Sequence, residues 1–184
     1  MILYELELND NGVDAIAIVD RPAIQSDFQA FADEPMRFEI VNEEERIVSG
    51  YLMIADKPIF RDDEVRGKHY IVFRSNVIKK CVERFMENGM QSNINLMHDQ
   101  NLKLSDVFLY ESLVVDSKKE KYAPKSFKIE ADGSWWGTMK VNNEEVWQSI
   151  KDGKFKGFSV EGFFKYGMSE DEKKLQQLKN LFQK

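Results

Sequence analysis

One stretch of this chain reads most clearly as a helix, and most of the segments around it have the period of β-strands; that contrast limits the fold more than any other feature. After Ser75, the residues Val77, Ile78, Cys81, Val82, Phe85 and Met86 recur at helical spacing, and Gly89 supplies a stop. Ser75 is the expected N-cap, because its hydroxyl can accept a free N–H of the first turn. Residues 1–8 alternate as a strand, residues 9–12 (NDNG) form a turn signal, and an apolar segment then runs to Pro22. Strands are expected at 36–42, 46–55, 70–73, 107–115, 135–141 and 155–166. Asn142 or Asn143 caps a second helix carrying Val146, Trp147 and Ile150 and ending at Gly153. Residues 25–35 read as irregular, anchored by Phe28 and Phe31, and 117–125 as a polar loop. Trp135 and Trp136 alternate on a strand, which predicts one buried and one half-exposed indole. The pattern is α+β, built around an antiparallel or mixed sheet that can close into a barrel. Residues 1–168 are expected to form one domain. Residues 169–184 form an amphipathic helical tail with Leu175, Leu178, Leu181 and Phe182 on one stripe.

Composition narrows the function classes. Apolar residues make up 42% of the 184 and aromatics 12%, enough for a real core. The net charge of −6 argues against a non-specific nucleic-acid binder, which must neutralise phosphates with Lys and Arg. Cys81 is the single cysteine; it excludes an internal disulfide and lies in the helical apolar pattern, hence in the core. No apolar run is long enough to cross a bilayer, and the acid-interrupted start lacks the basic region of a signal peptide.

Chemistry concentrates in two segments, residues 95–99 (NLMHD) and residues 157–162 (GFSVEG). Histidine is scarce, with only His69 and His98. His98 has no second histidine, cysteine or suitably spaced acid beside it, so a metal site is not expected. His69 is flanked by cations and reads as an exposed loop residue. On a strand, Ser159 and Glu161 point to one face while Phe158 and Val160 point to the other. A strand serine is ordinarily only a polar-face residue, and the segment is not a Gly-x-Ser-x-Gly elbow, because its second glycine comes one position late. A base and a nucleophile on separate elements can nevertheless meet in the fold. A carboxylate to orient the imidazole has two candidates. Glu111 lies in the apolar strand after His98, where an unpaired charge is costly. Glu161 shares the face of Ser159. Spacing does not choose between them, since a triad is defined by geometry.

Taken in order, residues 13–24 (VDAIAIVDRPAI), 50–56 (GYLMIAD), 95–98 (NLMH), 107–112 (VFLYES), 137–141 (GTMKV) and 153–162 (GKFKGFSVEG) resemble the phage serine protease group related to the prohead maturation proteases of tailed bacteriophages. The resemblance implies a fold like herpesvirus assemblin, with a β-barrel-like core and flanking helices, and a histidine ahead of a serine, as His98 is ahead of Ser159. It implies a serine endopeptidase that cleaves scaffold and capsid precursors, and itself, during head assembly. Ser159 would be the nucleophile, His98 the base, and Glu111 or Glu161 the orienting acid. Implied partners are the phage scaffold and major capsid proteins, with the portal and a second copy of the chain as further ones, and no nucleic acid or membrane. The implied location is the interior of the immature head in the host cytoplasm, with retention in the virion as an option. Assemblin relatives use a second histidine as third member, and no histidine follows Ser159 here. The alternative is therefore a virion structural or scaffold-like protein that keeps the fold without the catalysis.

Overall fold

The computed structural model describes residues 2–20, 38–128, 130–168 and 173–174. The irregular segment expected at 25–35 and the apolar stripe of the tail lie outside the described residues. Among the described residues, ten strands form two sheets and two α-helices accompany them, an arrangement compatible with the α+β reading. The strands are β1 (Leu3–Val19), β2 (Glu39–Asn42), β3 (Ile47–Met53), β4 (Ile59–Asp63), β5 (Gly67–Phe73), β6 (Ile94–Leu96), β7 (Asp99–Lys103), β8 (Val107–Val114), β9 (Trp135–Val141) and β10 (Gly157–Met168). The helices are α1 (Ser75–Glu87) and α2 (Glu144–Lys151).

The larger sheet runs β4-β5-β1-β6-β7, with β10 also paired to β1; the smaller runs β2-β3-β9-β8. Both are open, and no closed barrel forms among the described residues. The 17-residue β1 organises the larger sheet. Its first half pairs in parallel with β5, its second half in parallel with β6, and β10 runs antiparallel along both halves. The turn signal at residues 9–12 does not break the strand. The register against β10 instead shifts between Leu8 and Val13 and again before Ala15, so the extra residues are absorbed as bulges.

Helix α1 leads the chain from β5 to β6 and packs against β1 and β9, one strand from each sheet. It buries Ile78, Cys81 and Phe85, and Phe85 meets Trp135 edge-to-face at 5.4 Å. Ser75 is its first helical residue and not its cap. Arg74 occupies the cap position and makes no side-chain capping bond. Its guanidinium instead donates to Glu5 Oε1 (Nε, 3.0 Å) and Asp56 Oδ1 (2.9 Å), tying the helix start to β1. Ser75 has a packing role: a Cβ placed on Gly133 (φ +90°) would collide with Ser75 Cβ, so this close approach requires glycine. Helix α2 is capped as expected, with Asn143 Oδ1 accepting from the Val146 N–H at 3.1 Å.

Two expectations about burial fail for identifiable reasons. Trp135 and Trp136 are both buried, because β9 is covered on both faces. Trp135 enters the main core, and Trp136 joins a smaller cluster with Tyr51, Ile54, Val115 and Phe127. His69 is not an exposed loop residue: it sits on β5 with 1% of its surface exposed, between Tyr4 and Tyr166, its Nδ1 2.8 Å from the Gly67 carbonyl. Its cationic neighbours obscured the strand alternation.

Candidate functional site

The site is built where β6, β1 and β10 lie side by side. Ala17 of β1 is in register with Ser159 on one side and with Asn95 on the other, and Ala15 is in register with Glu161. Residues opposite one another across a sheet share a face, so Ser159, Glu161 and Asn95 project to the same side. Phe158 takes the opposite side and enters the main core. The two alanines keep β1 low between polar neighbours, which lets side chains from its two flanking strands meet above it. Asn95 Nδ2 donates to Glu161 Oε1 at 2.5 Å, spanning β1.

His98 enters this face from a hairpin. Leu96 pairs with Asp99, leaving Met97 and His98 as a two-residue connection between β6 and β7. Their φ values are 55° and 62°. Tight hairpins with two such residues usually carry Asn or Gly there. A side chain in the left-handed region costs roughly 1 kcal/mol or more, and such costs gather at functional sites. The turn is held by the Met97 N–H donating to the Ile18 carbonyl at 3.1 Å and by the Asp20 N–H reaching Met97 Sδ at 3.3 Å. The imidazole is 43% exposed, and its Nδ1 lies 3.1 Å from Glu161 Oε1. Glu161 thus receives His98 and Asn95 on one oxygen.

The four residues singled out from the sequence therefore divide. Glu161 contacts His98, and Ser159 lies two positions from Glu161 on the same strand face. Glu111 is exposed on β8, opposite Thr138 in the smaller sheet, next to a register shift after Leu109. Ser159 is 3% exposed. Nδ1 is the imidazole nitrogen turned to Glu161.

A cleft of about 260 Å³ adjoins the imidazole's partner, lined by Asp14, Asn95, Lys103 and Glu161 among others. Asn93 Nδ2 donates to the Asp14 carbonyl at 2.6 Å and fixes the β1 edge of the cleft. Burial raises the Asp14 carboxyl pKa above its ordinary range, and the nearby Glu161 charge adds to the rise. Asp14 and Asn95 escaped the sequence reading because their hydrogen-bond partners, Asn93 and Glu161, lie 79 and 66 positions away, contacts that local periodicity does not carry. The available signal was the Ala15–Ala17 pair of small residues within an apolar strand. Among the described residues, no cluster of three His, Cys, Asp or Glu side chains could hold a metal ion, and no helix is long and apolar enough to cross a membrane.

No curated protein and no solved structure matches the chain. The family described as "Putative phage serine protease XkdF" matches residues 36–166. That span contains His98, Ser159, Glu111 and Glu161 and leaves β1 outside. Because the match covers well over half of the sequence, the chain belongs to this phage serine protease family.

Proposed function

We propose that this protein is a serine endopeptidase of phage head assembly, with Ser159 as nucleophile, His98 as general base and Glu161 as the carboxylate that orients the imidazole. The observation that supports it is the 3.1 Å contact between His98 Nδ1 and Glu161 on the sheet face that also bears Ser159. Holding Nδ1–H on a carboxylate leaves Nε2 unprotonated and basic, the tautomer a hydroxyl nucleophile requires. Ser159 Oγ attacks the scissile carbonyl as its proton passes to His98 Nε2. The imidazolium gives that proton to the leaving amine, and water then hydrolyses the acyl-enzyme with His98 again as base. Asn95 restrains Glu161 by donating to the same Oε1 that the imidazole meets. The chemistry needs no cofactor.

The substrates in this reading are the phage scaffold and major capsid precursors and the chain itself, inside the immature head. The portal is a further contact, retention in the virion a further outcome, and self-association a further option. A second reading, a virion structural protein on a protease-like fold, has one observation in its favour: Ser159 is 3% exposed, and a nucleophile must be reached by its substrate.

Co-expression of the wild type or Ser159→Ala with the phage scaffold and capsid proteins, followed by intact mass, separates the two. Cleavage by the wild type alone supports the protease. Intact substrates with both forms folded favour the structural role.

A further inference from the structure

We infer that the cleft bounded by Asp14, Asn95 and Glu161 is a subsite for a cationic side chain, lysine or arginine, of the bound peptide. The inference deepens the protease reading, since it names what that site would select.

Three observations carry it. Asn95 is 4% exposed and lines the cleft, and its Oδ1 is buried without a hydrogen-bond partner. The amide cannot be turned round to cure this, because Nδ2 donates to Glu161 Oε1, and an oxygen in its place would face a carboxylate. A buried carbonyl left unpaired is costly, so an incoming N–H is favoured there. Asp14 and Glu161 place two carboxylates in the same cleft, and both close contacts of Glu161 use Oε1. Lys103 also borders the cleft but is exposed and forms no ion pair with either acid among the described residues. Two carboxylates and the unpartnered Asn95 carbonyl are thus acceptors, which an ammonium or guanidinium matches and a carboxylate does not. The volume of about 260 Å³ lies just below the range of small-molecule sites (about 300–1,000 Å³) and suits one long side chain. Ala15 in the lining leaves that space open.

The test uses the full wild-type chain, labelled with ¹⁵N, and three small probes: Nα-acetyl-lysine amide and its norleucine and glutamate counterparts. Saturable shifts of the Asn95 side-chain amide with the lysine probe, and none with the other two, are expected. Asp14→Asn should weaken the lysine effect about tenfold or more. Equal shifts with norleucine, or none with lysine up to its solubility, overturn the inference. Peptides cleaved by the chain give a second readout. Replacing one lysine by norleucine should lower kcat/KM about tenfold or more at a single position relative to the scissile bond, and by less in Asp14→Asn. Cleavage with no such position also overturns it. If the lysine probe binds and no peptide is cut, the protease reading fails and the subsite stands. If peptides are cut without lysine selectivity, the protease reading stands and the subsite fails.

Discussion

The centre of the smaller sheet and the β6–β1–β10 patch of the larger one are both buried β-structure, yet they use burial differently. Every residue of β3 is buried, and so are all of β9 except Lys140. Most of the polar side chains there are matched to each other: Ser49 and Thr138 share a hydrogen bond of 2.9 Å, and Trp135 Nε1 donates to Ser112 Oγ at 2.9 Å, while Trp136 Nε1 is buried without a partner. In the β6–β1–β10 patch, small alanines lie between a serine, an asparagine and a glutamate. One asparagine oxygen has no partner, a carboxyl is pushed up by burial, and the histidine rests on two left-handed residues. The first region devotes its contacts to stability. The second holds unfavourable groups in place, as a binding or catalytic site does.

Substitutions should separate the two regions along different axes. The largest effect expected is on activity: Ser159→Ala should reduce cleavage at least about 10³-fold while shifting the thermal midpoint little, measured by product mass and calorimetry. Trp135→Ala, in the region that stabilises, should do the reverse and cost about 3–5 kcal/mol in denaturant titrations. Smaller and opposite in sign is His98→Gly. It removes the base but relieves a side chain at φ 62°, so it should abolish cleavage while stabilising the fold by about 1 kcal/mol. A loss of stability there would show that the imidazole's contact outweighs the backbone strain. The smallest effect is expected at Asp14. Its carboxyl pKa is raised on folding from 3.8, so the folded state holds the proton more tightly. Its stabilising contribution is therefore present below the unfolded value and is lost as pH rises through the folded one. Asp14→Asn should be more stable than wild type at pH 7, by less than about 1 kcal/mol after solvent screening, with the gap closing near pH 3. Urea titrations at the two pH values measure it.

Long apolar elements were legible in the sequence and short polar ones were not. Helix α1, β8, β9 and β10 announce themselves by periodicity and by Gly and Asn stops. Three-residue β6 and the polar edge strand β7 carry no such pattern, yet together they aim His98. The sharing of one face by Ser159 and Glu161 follows from strand alternation alone. That Glu161, and not Glu111, meets the imidazole depends on which strands neighbour one another, as does the role of Asn95. Cys81 was legible as core. Buried in α1, its thiol is pushed up to about 12, chiefly by desolvation, which suits packing and not reactivity.

The most direct measurement of the central claim is intact mass after exposure of the folded protein to a fluorophosphonate, with the adduct mapped by peptide sequencing. The account predicts one adduct, on Ser159, absent from Ser159→Ala and formed at least about 100-fold more slowly in His98→Ala. An adduct on another serine, or equal labelling of wild type and His98→Ala, would contradict it.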